Sequence, residues 1–175
     1  GVLIVTAVRA GALGGASARA QGGTSRAMRS LGAGAALAFL VVVLGGLVAK
    51  FPGAAAACPE FPLCGDTPAN MPAGAAHVQL THRFLAYLLF FHALAVGLAV
   101  SRRAGEAATV QRAARWAAGL VVRQLIIGAM MVLSVFPLWL RVLHQAVGVG
   151  VWLAMFTAAY LARQAARSTP AAAAA

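Results

Sequence analysis

Residues 78–100 read VQLTHRFLAYLLFFHALAVGLAV, with His82, Arg83 and His92 as the only imidazole or charged side chains. A bilayer is crossed by roughly 20 apolar residues in a helix, so this stretch is long and apolar enough to span. Three more runs share the pattern: 31–49 (LGAGAALAFLVVVLGGLVA), 114–136 and 142–162. Each is closed by a charge or a breaker. Arg29 and Lys50 flank the first, Ser101-Arg102-Arg103 ends the second, Pro137 halts the third, and Arg141 and Arg163 bound the fourth. The predicted fold is all-α, a transmembrane four-helix bundle over residues 31–163.

Composition agrees with helices packed in lipid. The 175 residues are 62% hydrophobic and 10% charged, with 19 glycines, and small residues let membrane helices approach closely. The formal charge of +11 sits at the ends of apolar runs without aromatics between the cations. It marks topology and predicts membrane lipid, not nucleic acid, as the partner. Arg9, Arg19, Arg26 and Arg29 precede the first run, Arg102, Arg103, Arg112 and Arg115 lie between the second and third, and Arg163 and Arg167 follow the fourth. The opposite side has Lys50, Arg83 and Arg141, offset by Glu60 and Asp66. The positive-inside rule then puts both termini in the cytoplasm of a bacterial plasma membrane and loop 51–77 outside.

Outside the bundle the chain divides into three pieces. Residues 1–9 (GVLIVTAVR) are too short an apolar run to span and read as the tail of a preceding transmembrane helix, with an arbitrary start as the plainer alternative. Residues 10–30 are rich in Gly, Ala and Ser and read as a flexible cytoplasmic linker. Residues 164–175 end in STPAAAAA and read as a disordered tail.

Loop 51–77 carries five prolines and both cysteines. An oxidising outer compartment predicts a Cys58–Cys64 disulfide. A redox-active pair is the alternative, although catalytic pairs favour a C-x-x-C spacing at a helix start. Zinc finds only His77 close by.

The histidines carry more. His82 and His144 lie near the starts of the second and fourth runs, which are parallel because one run intervenes. Two imidazoles at matched depth on parallel helices suit the two axial positions of a heme. Ala86 and Gly148, one turn beyond each histidine, clear the shared helix face for a flat ring. Arg83 and Arg141 lie at the height where ring propionates would sit, although interfacial arginines also meet lipid phosphates. The plain alternative is that each histidine hydrogen-bonds a neighbouring helix. His92, about 15 Å further along at 1.5 Å per residue, has no histidine partner on the fourth run and reads as structural or pocket-lining.

Four segments together resemble the heme A synthase family: GGLVAKFPGAAAACPEFPLCG (45–65), VQLTHRFLAYLL (78–89), RQLIIGAMMVL (123–133) and LHQAVGVGVWLAMFTAAY (143–160). The resemblance implies a tandem eight-helix protein whose halves each offer two histidines to a heme. It also implies oxidation of a heme O methyl group to the formyl of heme A during cytochrome oxidase assembly. By that likeness His82 and His144 correspond to the iron-ligating pair and Cys58 with Cys64 to the outer-loop disulfide. The family's substrate half has a glutamate three residues before its first histidine, where this chain has Gln79. An amide is no base at neutral pH, so the chain resembles the C-terminal half, holding a b-type heme as cofactor and inactive alone. The implied partners are heme O and heme A, the N-terminal half or a second copy, and heme O synthase. Two alternatives remain at this point: a half-length homodimeric enzyme, and a heme-free thiol and quinone oxidoreductase using the cysteines.

Overall fold

In a computed structural model, described over residues 1–168, six α-helices and one short 3-10 turn are present and no strand. They are α1 (Val2–Arg9), α2 (Gly15–Gln21), α3 (Ser25–Lys50), α4 (Ala75–Ser101), α5 (Ala108–Leu133) and α6 (Leu138–Ser168), with the 3-10 turn at Ala54–Ala56. The four helices α3 to α6, of 26, 27, 26 and 31 residues, are long and apolar enough to cross a membrane. The chain is an all-α, multi-pass membrane protein.

Each span is longer than its apolar run because caps, not hydropathy, set where a helix stops. α3 starts at Ser25 rather than 31: Thr24 is extended and its hydroxyl accepts from the Ala27 amide at 3.2 Å, satisfying a donor the first turn leaves free. Gly74, at φ 84°, turns the chain into α4. The Gln21 amide oxygen caps α5 by accepting from the Ala108 amide at 2.8 Å. α5 stops at Leu133, three residues before the predicted end, because Val135 and Phe136 both turn left-handed at φ 58° ahead of Pro137. Residues 164–168, predicted as tail, continue α6; the rest of that predicted tail lies outside the described residues.

α3 packs on α4 and α6, and α5 packs on the same two, so the four spans form a closed square. The α4–α5 and α5–α6 connections are short, so these neighbours are antiparallel and α4 and α6 run parallel. Two core layers fill the square. Ala38, Leu89, Ala117, Val121, Val151 and Met155 pack in one. Leu31, Val100, Val110, Ala114, Leu161 and Ala165 pack in the other, at the arginine-rich end. Large apolar side chains such as Phe39, Phe84, Phe91 and Ile126 point outward, as they do where the solvent is lipid.

The stretch read as a flexible linker carries α2 and the first residues of α3. α1 and α2 fold against α6 at the arginine-rich end. Small residues let them sit flush: Val8 and Ala18 are fully buried, and a Cβ on Gly15 would lie 2.0 Å from the Val8 carbonyl oxygen. Arg9 donates to the Tyr160 hydroxyl at 2.9 Å. The buried Glu106 carboxylate accepts from both the amide and the hydroxyl of Thr24, fastening the start of α3 to the α4–α5 turn.

Candidate functional site

A cleft opens inside the square at the end that carries the cysteine loop. It encloses about 680 Å³ of empty space, its open mouth included. His82, in the second turn of α4, and His144, in the second turn of α6, both line it. Parallel helices and matched starts bring the two imidazoles into one space, as their positions in sequence predict.

Two glycines that sequence reasoning passed over make room for these rings. A Cβ on Gly45 of α3 would lie 3.1 Å from His82 Cε1, and one on Gly128 of α5 would lie 3.1 Å from His144 Cε1. Each imidazole therefore rests against bare backbone of the helix beside it. The signal was present in Gly45-Gly46 and in LIIGAMM, but only the packing says which glycine meets a ring.

The cleft also holds polar atoms without partners. His82 Nδ1, Gln79 Oε1 and Gln124 Oε1 are buried and make no hydrogen bond among the described residues. Gln124 donates to the His144 carbonyl at 2.9 Å, and the same nitrogen lies 3.2 and 3.3 Å from the two ring nitrogens. Buried polar atoms normally find a partner, so this concentration in one cleft marks a place suited to a polar or metal-centred guest. Two imidazoles suffice for an iron whose macrocycle brings the remaining donors. The residues present fit a heme in their donor set and in the bare backbone behind each ring.

Arg83, predicted beside ring propionates, lines the cleft, with its charge turned to the cysteine loop. It is buried, and its guanidinium donates to the carbonyls of Cys58 (2.7 Å), Glu60 (2.6 Å) and Leu63. A cation in a low-dielectric site takes the nearest strong acceptors, and loop 58–64 presents three. The sulfurs of Cys58 and Cys64 lie at disulfide distance across that loop. The Tyr87 hydroxyl donates to the Pro62 carbonyl at 2.6 Å, and Phe61 packs edge-on against the Tyr87 ring. Phe61 and Tyr87 both line the cleft, so the cysteine loop roofs it.

The other predicted positions divide. Ala86 lines the cleft. Gly148 does not: the space its missing side chain leaves is taken by Gln124, whose Nε2 would lie 3.1 Å from a Cβ there. Arg141 is exposed on the first turn of α6 and lies outside the cleft lining, since a long cationic side chain at a helix end extends toward water. His92 sits apart, its Nε2 3.0 Å from the Ser30 carbonyl of α3, which is the structural placement its lack of a histidine partner predicts.

Comparison with known proteins gives the arrangement a family. The model described as cytochrome oxidase assembly protein (COX15-CtaA) matches residues 1–156. A heme A synthase of Ruegeria sp. (strain TM1040) is 33% identical over 136 residues, covering 71% of this chain and 35% of that protein. The chain thus spans about a third of the length of that curated relative. No solved structure matches. The chain belongs to the heme A synthase family of cytochrome oxidase assembly proteins.

Proposed function

We propose that this four-helix unit is the cofactor-heme half of a heme A synthase-like membrane oxidoreductase, with His82 and His144 as the axial ligands of a b-type heme. The observation that carries it is the convergence of the two imidazoles, from parallel helices, into one cleft with glycine backbone behind each ring. When bound, the heme would supply one-electron transfer, with His82 and His144 as the residues that would hold it. The protein's own part is positional. α4 and α6 hold the imidazoles, Gly45 and Gly128 set how far each ring can retreat, and the Arg83-bound cysteine loop screens the cleft from water. Gln124, which donates to the His144 carbonyl, would fix where His144 presents its ring.

Gln79 supports the placement of methyl oxidation elsewhere. It lines the same cleft three residues before His82, and its neutral amide neither takes a proton nor supplies negative charge. The conversion of heme O to heme A belongs, on this proposal, to a companion half with a carboxylate at the corresponding position, with heme O synthase as supplier. The orientation proposed is that of a bacterial plasma membrane protein with the cleft facing outward and the arginine-rich end in the cytoplasm.

The test is heme content. Purified chain is expected to retain heme with a b-type reduced-minus-oxidised difference spectrum, and the double variant His82→Ala, His144→Ala to lose it while helicity is kept. A heme-free protein whose cysteines reduce a quinone would sink the proposal.

A further inference from the structure

A second concavity lies on the outer face of α5, away from the cleft, with about 680 Å³ of empty space including its open side. It is lined by Arg112, Arg115, Trp116, Gly119 and Arg123. These recur at three- and four-residue steps, so they form one stripe of the helix. All five are exposed, Trp116 at 65%. No acidic side chain pairs with the three arginines among the described residues. The stripe continues toward the other end of α5 as Ile126, Met130 and Leu133, which are 53%, 45% and 67% exposed.

Arg123 is the informative member. It lies eleven residues beyond Arg112, about 16 Å along the helix at 1.5 Å per residue, and so well inside the span. A lipid-facing arginine at that depth is costly unless its charge reaches a polar partner. Helical side chains lean toward the N-terminus, which here is the arginine-rich end. The path is open, because a Cβ on Gly119 would meet nothing within 4 Å. Trp116, on the next turn, has the amphipathic ring favoured at a bilayer interface.

We propose that this stripe is a binding site for one anionic phospholipid, its phosphate held between Arg115 and Arg123 with Arg112 adding charge at the mouth, and its acyl chain laid along Ile126, Met130 and Leu133. The match of a cationic pocket to an adjoining apolar strip on one helix face is what selects a lipid over a free phosphate. The site is independent of the heme cleft, since its side chains point away from the bundle.

The test uses the full chain with Trp139→Phe and Trp152→Phe, so that Trp116 alone reports, in nanodiscs of mixed phosphatidylcholine and phosphatidylglycerol. Brominated phosphatidylglycerol is expected to quench Trp116 more than brominated phosphatidylcholine at equal mole fraction. That preference should fall about fivefold for each arginine changed to glutamine at 115 and 123, and survive Arg115→Lys. Inorganic phosphate should leave it intact. Equal quenching by the two lipids would overturn the proposal, and so would loss of the preference to inorganic phosphate. Absence of quenching by either lipid would also overturn it, indicating a protein surface over this face.

Discussion

Arg83 should couple the cysteine loop to the heme-ligand helix, and the coupling can be sized. Of its three acceptors, the Cys58 carbonyl belongs to a fully buried residue, whereas Glu60 and Leu63 are exposed. A charge-assisted hydrogen bond is worth about 1.5–3 kcal/mol where water cannot replace it, and an ordinary one about 0.5–1.5 kcal/mol net. Arg83→Met forfeits the buried bond nearly whole and the two rim bonds only in part, because water reaches those carbonyls. The expected loss is about 3 kcal/mol. A ring closed by Cys58 and Cys64, whose sulfurs lie at disulfide distance, would hold the three carbonyls together. In a Cys58→Ala, Cys64→Ala background the guanidinium faces a slack loop, and Arg83→Met should cost at least about 1 kcal/mol less. Equilibrium unfolding in a mixed-detergent titration, run on the four proteins of this cycle, measures both quantities. Equal cost in the two backgrounds, or no cost in either, would refute the idea that the ring organises the arginine's acceptors.

Gly128→Ala places a methyl 3.1 Å from His144 Cε1, and overpacking of that kind costs about 1–3 kcal/mol; heme release should quicken about tenfold or more in a transfer assay to apomyoglobin. Gly46→Ala, with nothing within 4 Å of the new atom, should release heme at the parent rate. Glu106→Ala strips the acceptor from the Thr24 amide and hydroxyl, at about 1–3 kcal/mol for the group left unsatisfied; hydrogen exchange should quicken in the first turn of α3 and not at the start of α4. His92→Leu removes the contact to the Ser30 carbonyl and should lower stability by about 1 kcal/mol while leaving the heme spectrum unchanged.

The spans were legible because burial in lipid demands long uninterrupted apolar runs, and breakers such as Pro137 are local. Their ends were less so. Thr24 caps α3 through its own side chain, but the register that makes it a cap lies in polar sequence, outside the apolar signal. The docking of α1 and α2 was hidden for a related reason: Gly15 and Ala18 look like linker residues until Val8 is seen against them. In the site, helix parity and depth were enough to put His82 and His144 in one cleft. The partners of Arg83 were not readable, because a backbone carbonyl has no letter of its own. Nor was the identity of the group filling the space at Gly148, since Gln124 comes from a helix whose rotation the sequence does not set.

The central claim is that two imidazoles, His82 and His144, hold one iron between them. Electron paramagnetic resonance of the oxidised, heme-loaded chain tests it most directly. A low-spin ferric signal is expected, converting to high-spin in His82→Ala and, independently, in His144→Ala, with imidazole restoring the low-spin form in each. A high-spin signal in the parent protein, or a low-spin signal that survives either substitution unchanged, would contradict it.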